Sequence, residues 1–383
     1  MLAKLAANKK SGQVLIAAGC LTQRYGSEVV RRVPGIDAIL GTRRWMDIVD
    51  IVESLSGTSR PESRYHLSDA ATVGRDEHGA QRVSVQGASA YIKIADGCSR
   101  SCAFCAIPLI KGPTVSRPIE SILAEAGSLQ SRGVREIVLI AQNTTDYGHD
   151  LGLKNGLAHL LTEMTAAIPQ IDWIRVMYAY PGYVTDELIE IMATYKQIVP
   201  YLDMPLQHAH TSVLRRMGRP TNIDWVYKTL KKMRKAIPDL ALRSTFIVGY
   251  PGETEEEFHT LLDFVEEIRF DKLGALKFSL EPGTSSEALG DSIPGEVKEE
   301  RLKRLMEKQQ KISLKLNQAF VGRNLDVLIE GAGQGISIGR SYRDAPKVDG
   351  LVLVKGEIPA GKMISVSINN AMVYDLIGIA NLQ

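Results

Sequence analysis

At 383 residues, with 46 Lys and Arg against 44 Asp and Glu, the chain is too long for one compact core. A formal net charge of +2 also gives it no bulk attraction for a polyanion. Apolar residues make up 44% and charged residues 23%, which excludes extended disorder, and no run is long and apolar enough to read as a membrane span. Four cysteines in such a length exclude a disulfide framework, and Met1-Leu-Ala-Lys-Leu-Ala lacks a secretory apolar region, so a reducing cytoplasm is expected.

Residues 1–10 read as the tail of a helix, and 14–18 as a buried strand with Gly19-Cys20 just past its end. A second strand follows at 38–40, then a helix over 45–55 with Ile48, Val49, Val52 and Leu55 on one face. Together these form an incomplete α/β domain, assigned to residues 1–70. By itself Cys20 reads as a packed core thiol. The stretch 56–90 is rich in Gly, Ser, Arg and Asp; it reads as a linker, placed at 71–88, with 81–85 able to pair as an edge strand.

From Tyr91 short β-branched runs alternate with amphipathic stretches. Strands are predicted at 91–95, 136–141, 173–178, 201–204, 242–248 and 275–279, and helices at 119–132, 157–167, 186–195, 225–236 and 255–268. Six alternations fall short of the eight that close a full barrel, so the core, residues 84–316, is expected to be a partial (β/α)6 barrel. A long charged helix over 296–317 closes it. Residues 317–383 then carry five short strands with Gly-rich turns, at 325–329, 335–340, 351–354, 363–368 and 372–377, which predict a small β-barrel.

Ligands in such folds gather beyond the carboxyl ends of the strands. Cys98, Cys102 and Cys105 lie in the loop after the first core strand, spaced for a metal group. Three thiolates on an iron–sulfur cube leave one iron free for another ligand, whereas a zinc site would borrow a fourth, from Cys20 or a histidine. Other polar segments fall at strand ends: Gln142-Asn143-Thr-Thr-Asp146, which could hold the charged end of an amino acid; Pro205-Leu-Gln207-His208; and Gly249-Tyr-Pro-Gly252-Glu253. Each has a plain reading as turn or capping chemistry, and His208 as a core histidine.

The Cys98-x3-Cys102-x2-Cys105 motif, with Phe104 before its last member, resembles the signature of radical S-adenosylmethionine enzymes. The run from Asp96 to Pro108 followed by Ser116-Arg-Pro118 resembles the methylthiotransferases. Leu202 to His208, Arg243 to Gly249 and Gly339 to Gly350 resemble the RimO type, which modifies a ribosomal protein, and the tail resembles a TRAM domain. The resemblance implies that Cys98, Cys102 and Cys105 hold a 4Fe-4S cluster whose open iron chelates S-adenosyl-L-methionine. It also implies that Gln142 and Asn143 meet the methionine part, that the turn with Gly249, Gly252 and Glu253 lines the adenine, and that Gln207 belongs to the same cofactor site. In the family a second 4Fe-4S cluster is held by three cysteines of the first domain. Here only Cys20 matches that set and the other two would lie upstream of Met1, so a truncated chain with one intact cluster and poor methylthio transfer is expected.

The implied reaction is methylthiolation of the β-carbon of an aspartate in small-subunit ribosomal protein twelve. One S-adenosylmethionine would give the methyl group and a second the hydrogen-abstracting radical. The runner-up substrate is a tRNA adenosine. From Val321 onward Arg323, Arg340, Arg343, Lys347, Lys355 and Lys362 face Asp326, Glu330, Asp344, Asp349, Glu357 and Asp375, a balance that favours a basic protein over RNA, so direct RNA binding is not expected to dominate. A non-catalytic metal-binding module docked on ribosomes is the alternative of another class. The sequence names neither the electron donor nor the sulfur source, and no membrane partner is expected.

Overall fold

A computed structural model describes residues 1–56, 65–67 and 87–381. The predicted linker lies almost wholly outside these residues, as does the edge strand expected at 81–85. At the amino end three short strands, Ile16–Ala18, Ala38–Leu40 and Tyr65–His66, pair in parallel. The helix Cys20–Arg32 covers one side of that sheet, its buried Val29 packing with Ala17, Ile36 and Ile39.

The core is built from six parallel strands laid side by side in chain order: Ser89–Lys93, Glu136–Ile140, Trp173–Val176, Tyr201–Asp203, Ala241–Val248 and Lys272–Lys277. Four ladders carry the pairing, and the third and fourth strands meet through a single bridge, Ile174 to Ile198, and the Ala179 amide donating to the Asp203 carbonyl at 2.8 Å. Helices Ile119–Ser131, Gly156–Ala167, Asp186–Thr194, Ile223–Ala236 and Glu255–Ile268 form the outer layer. Their starts are set by local chemistry: Thr185, Asn222 and Thr254 cap three of them with side-chain oxygens, and Thr254 with Glu257 closes a capping box. Ala90, Ile92, Ile137 and Leu139 face these helices and are buried with them. The partial six-stranded barrel is thus the predicted one. Its sixth strand begins earlier than expected because Lys272 is buried against Asp344 at 2.6 Å, and a charged residue hides a strand start from a hydrophobic pattern.

The long helix Gly295–Gln318 returns along the body to a closed five-stranded barrel made from Asn324–Gly333, Ile336–Ser341, Val352–Lys355, Met363–Ala371 and Leu376–Ala380. The last strand starts at Leu376 and not at 372, because Met363–Ala371 runs on and a turn closed from the Met372 amide to the Asp375 carbonyl follows it. No helix among the described residues is long and apolar enough to cross a membrane.

How the two barrels meet decides where the site can be. The segment from Arg340 to Asp349 enters the amino-terminal end of the core. Arg340 Nη2 donates to Ser89 Oγ and Glu136, Arg175 donates to the Tyr342 carbonyl, Tyr201 donates to Asp349 at 2.6 Å, and Arg343 reaches Asp271. These contacts fall at or near the starts of the core strands. Tyr91, Val138, Trp173, Met177, Tyr201 and Ala241 line the lumen with Leu328 and Ala345 of the small barrel. The amino end of the core is therefore filled, and the carboxyl end is left for chemistry.

Candidate active site

The loop bearing the three cysteines leaves the first core strand through the pair Ala95–Asp96 and Val115–Ser116. Gly97 makes the turn at φ 74°; a Cβ there would stand 2.1 Å from the Pro113 carbonyl oxygen, so only glycine fits. Backbone bonds then fix the loop: Cys98 N donates to Gly112 O at 3.0 Å, Ala103 N to Met217 O at 2.8 Å, and Ser286 N to Ala103 O at 2.8 Å. Gly218, at φ 63°, would bring a Cβ to 2.6 Å from the Ser101 carbonyl, so the turn after the Thr211–Arg216 helix presses directly on the loop.

Cys98, Cys102 and Cys105 are half-buried free thiols. Burial pushes the Cys98 thiol up while the Arg100 amide opposes it, and burial pushes Cys105 up against the Ile107 amide. Cys102 is the best furnished of the three. Arg219 Nη1 lies 3.6 Å from its sulfur and the Tyr180 hydroxyl 3.8 Å away. Burial pushes the Tyr180 phenol up to about 12, so it keeps its proton beside the sulfur. Arg219 stacks 4.2 Å above the Tyr180 ring, and Arg100 stacks 4.0 Å above Tyr183 while pairing with Asp146. Arg100 and Asp146 fall in segments the sequence singles out, whereas Tyr180, Tyr183 and Arg219 do not, although Tyr180 lies just past the third strand and Arg219 follows the glycine that presses on the loop.

The remaining candidates divide. Asn143 is buried; its Oδ1 accepts from Thr145 at 2.8 Å, but its Nδ2 has no hydrogen-bond partner. A buried unpaired donor costs roughly 1–3 kcal/mol, and a ligand's acceptor would relieve it. Its neighbour Gln142 is exposed. Gln207 sits at φ 73°, its backbone bridged to Thr245 and Ile247, and its side chain is half-buried. The Glu253 carboxylate serves the fold: it accepts from the Gly249 amide, from Arg301 at 2.8 Å and meets His208 Nε2 at 3.1 Å. Since His208 Nδ1 accepts from the His210 amide, its proton stands on Nε2 and is donated to Glu253. Gly252, exposed at φ 73°, is the part of the 249–253 turn nearest solvent, and its carbonyl accepts from Arg216 Nη2 at 3.2 Å. Cys20 is exposed at the first position of its helix, which packs against the helix Ile107–Lys111 beginning two residues after Cys105.

A model of the radical SAM superfamily matches residues 92–265, and a TRAM domain model matches 321–380. The ribosomal protein uS12 methylthiotransferase RimO of Chloroflexus aurantiacus is 48% identical, over 99% of this chain and 87% of its own length. The chain belongs to the RimO methylthiotransferase family. The RimO protein of Roseiflexus sp. is 47% identical, over 99% of this chain and 84% of its own. Among solved structures, the radical S-adenosylmethionine methyltransferase TsrM from Kitasatospora setae superposes with a TM-score of 0.55 at 14% identity, covering 84% of this chain and 61% of its own, a likeness of fold alone. Family membership brings a 4Fe-4S cluster and S-adenosylmethionine as cofactors, and the donor set suits them. Among the described residues no three His, Cys, Asp or Glu converge on a single ion. Three thiolates that each take a different corner of a cube need no such convergence.

Proposed function

We propose that the chain is a methylthiotransferase acting on ribosomal protein uS12, with the β-carbon of an aspartate as acceptor, in the cytoplasm where ribosomes are built. The observation that carries this reading is likeness along nearly the whole chain to proteins so named. The three-thiol loop at the open end of the core supports it. The small barrel also keeps its charge balance once the residues buried at the interface are set aside. Arg340, Arg343, Asp344 and Asp349 are spent there, leaving Arg323, Lys347, Lys355 and Lys362 against Asp326, Glu330, Glu357 and Asp375. No cationic excess remains on it for RNA phosphates.

Cys98, Cys102 and Cys105 would hold the cluster. Bound there with S-adenosylmethionine, it supplies the one-electron chemistry that breaks an unactivated C–H bond. The chain's own residues prepare the place. The Arg100 and Ile107 amides offset part of the burial that pushes the Cys98 and Cys105 thiols up, and Arg219 and the Tyr180 hydroxyl stand within reach of the Cys102 sulfur. Asn143 Nδ2 would donate to the amino-acid end of the nucleoside ligand, beside Gln142. The exposed backbone at Gly252 and the side chain of Gln207 border its adenosine. Tyr180 and Tyr183, packed edge to face at 5.7 Å, exclude water from one side. Cys20, the one cysteine of this sequence outside the loop, would contribute to a second cluster, which would supply the sulfur.

Anaerobic reconstitution tests the reading through iron and sulfide content, release of 5′-deoxyadenosine, and the mass of uS12 peptides. A gain of one methylthio group at an aspartate is expected. Zinc uptake without deoxyadenosine, or a modified tRNA with unmodified uS12, would overturn it.

A further inference from the structure

Most charges inside the core are already matched. Glu136 closes on Arg175 and Arg340, Asp203 on Arg243 at 2.7 Å, and Asp349 stands behind Arg243 at 3.4 Å. At the rim Arg100 is held by Asp146, and Arg219 by the Pro205 carbonyl.

Lys93 differs. On its strand Ala90 and Ile92 face the helices, whereas Ser89 turns inward to Glu136 and the Tyr91 hydroxyl donates to the Pro346 carbonyl at 3.2 Å. Alternation places Lys93 on that inward face, at the carboxyl end of the strand and five residues before Cys98. It pairs in register with Ile140, and the next strand brings Met177 to the same wall. Its ammonium lies 3.5 Å from Asp96, but that carboxylate is taken more closely by Lys111, at 2.5 Å, and the Lys93 side chain keeps 34% of its surface exposed. A cation with half a counter-ion thus stands at the mouth of the lumen, with apolar neighbours, beside the loop that carries the thiols. Such a group favours a carboxylate that arrives from outside.

We propose that Lys93 Nζ receives the side-chain carboxylate of the target aspartate. The inference rests on the proposed function and deepens it. The reacting β-carbon is bonded directly to that carboxyl carbon, so holding one at a fixed cation presents the other to the thiol loop. A glutamate would place an extra methylene between anchor and reacting carbon, and an asparagine would lack the charge. Lys93 is a positioning and specificity residue here.

The test uses the full chain and two labelled peptides spanning the target loop of uS12, one native and one with the target Asp replaced by Asn. Wild type is expected to bind the native peptide about tenfold or more tightly than the Asn form. Lys93→Met should weaken the native peptide to the level of the Asn form and leave the Asn form unchanged, and Lys93→Arg should restore part of the difference. In the reconstituted enzyme Lys93→Met should raise KM for the peptide by a similar factor, with cluster content and substrate-free release of 5′-deoxyadenosine as in wild type. Asp96 keeps Lys111, so the loop should stand, and Lys93→Gln provides a second variant if the methionine form does not fold. Discrimination between the peptides that survives in both variants overturns the inference while leaving the function intact. A wild-type enzyme that neither binds nor modifies the native peptide overturns both.

Discussion

Glu136 is the group on which the two barrels turn, and removing its charge gives a quantitative test of their junction. The carboxylate is wholly buried, with Arg175 Nε at 2.8 Å, Arg340 Nη2 at 2.6 Å and Ser89 Oγ at 2.7 Å. Glu136→Gln keeps the shape and leaves two buried guanidiniums without their anion. Breaking one side of such a pair costs about 3–5 kcal/mol, a large share of the roughly 5–15 kcal/mol that holds a typical domain together. Arg340 retains Glu330 at 2.6 Å, on the half-exposed side, which places the expected loss near the lower figure, about 3 kcal/mol. Denaturant titration followed by tryptophan fluorescence reads it through Trp173, at the start of the third strand beside this cluster. Arg340→Met and the double variant complete a cycle, in which a coupling of about 2 kcal/mol or more is expected. A coupling below about 0.5 kcal/mol would mean that the junction is held by apolar packing and that the ion cluster is incidental.

Acid should loosen the same junction. Burial alone would push the Glu136 carboxyl up, but Arg175 and Arg340 more than offset it and hold it below the usual carboxylate range; Lys272 and Arg343 do the same for buried Asp344. Carboxyls with depressed values contribute stability above their unfolded pKa, near 4, and lose it as pH falls through their folded values. Asp203 runs the other way, because burial there outweighs Arg243. Glu255, Glu257 and Glu266 are also held low by neighbouring cations, and Asp172 is raised by burial, so depressed carboxyls outnumber raised ones and a net fall in denaturation midpoint is expected below about pH 4; a flat profile from pH 4 to 3 would refute this. Gly97→Ala should cost more than about 1 kcal/mol from its left-handed φ alone and should abolish iron loading, since its Cβ would also strike the Pro113 carbonyl; full iron content in this variant would contradict the loop geometry. Cys98→Ser should lose iron while keeping its far-ultraviolet circular dichroism, because the thiol is half-buried and ties no core element. Asn143→Ala should change the stability of the ligand-free protein little, since it removes an unpaired buried donor but also the acceptor of the Thr145 hydroxyl. It should weaken S-adenosylmethionine binding about tenfold, read by calorimetry on the reconstituted protein.

The strand and helix alternation was legible because apolar faces repeat with fixed periods, and the three cysteines because their spacing has few other uses. Legibility failed where charge goes inside. Glu136, Arg175, Asp203, Arg243 and Lys272 sit on core strands, and nothing in the sequence marks the partners they find inside, in one another and in the segment from Arg340 to Asp349. Chain order cannot reveal a pairing such as Glu136 with Arg340, 204 residues apart. Asn143 was picked out by its place after a strand, but only the structure shows its unpaired amide. Glu253 was picked out for the same reason, and only the structure shows that its carboxylate is bound to Gly249, Arg301 and His208.

With its far end stoppered by the small barrel, the core opens at its carboxyl end and along the seam between its first and sixth strands, which do not pair. Ligands that share the carboxyl-end opening are expected to bind and leave in order, the deeper one entering first and departing last. Product-inhibition patterns with S-adenosylmethionine and the peptide would read that order directly. A random-order pattern would mean that the seam between the first and sixth strands serves as a second way in.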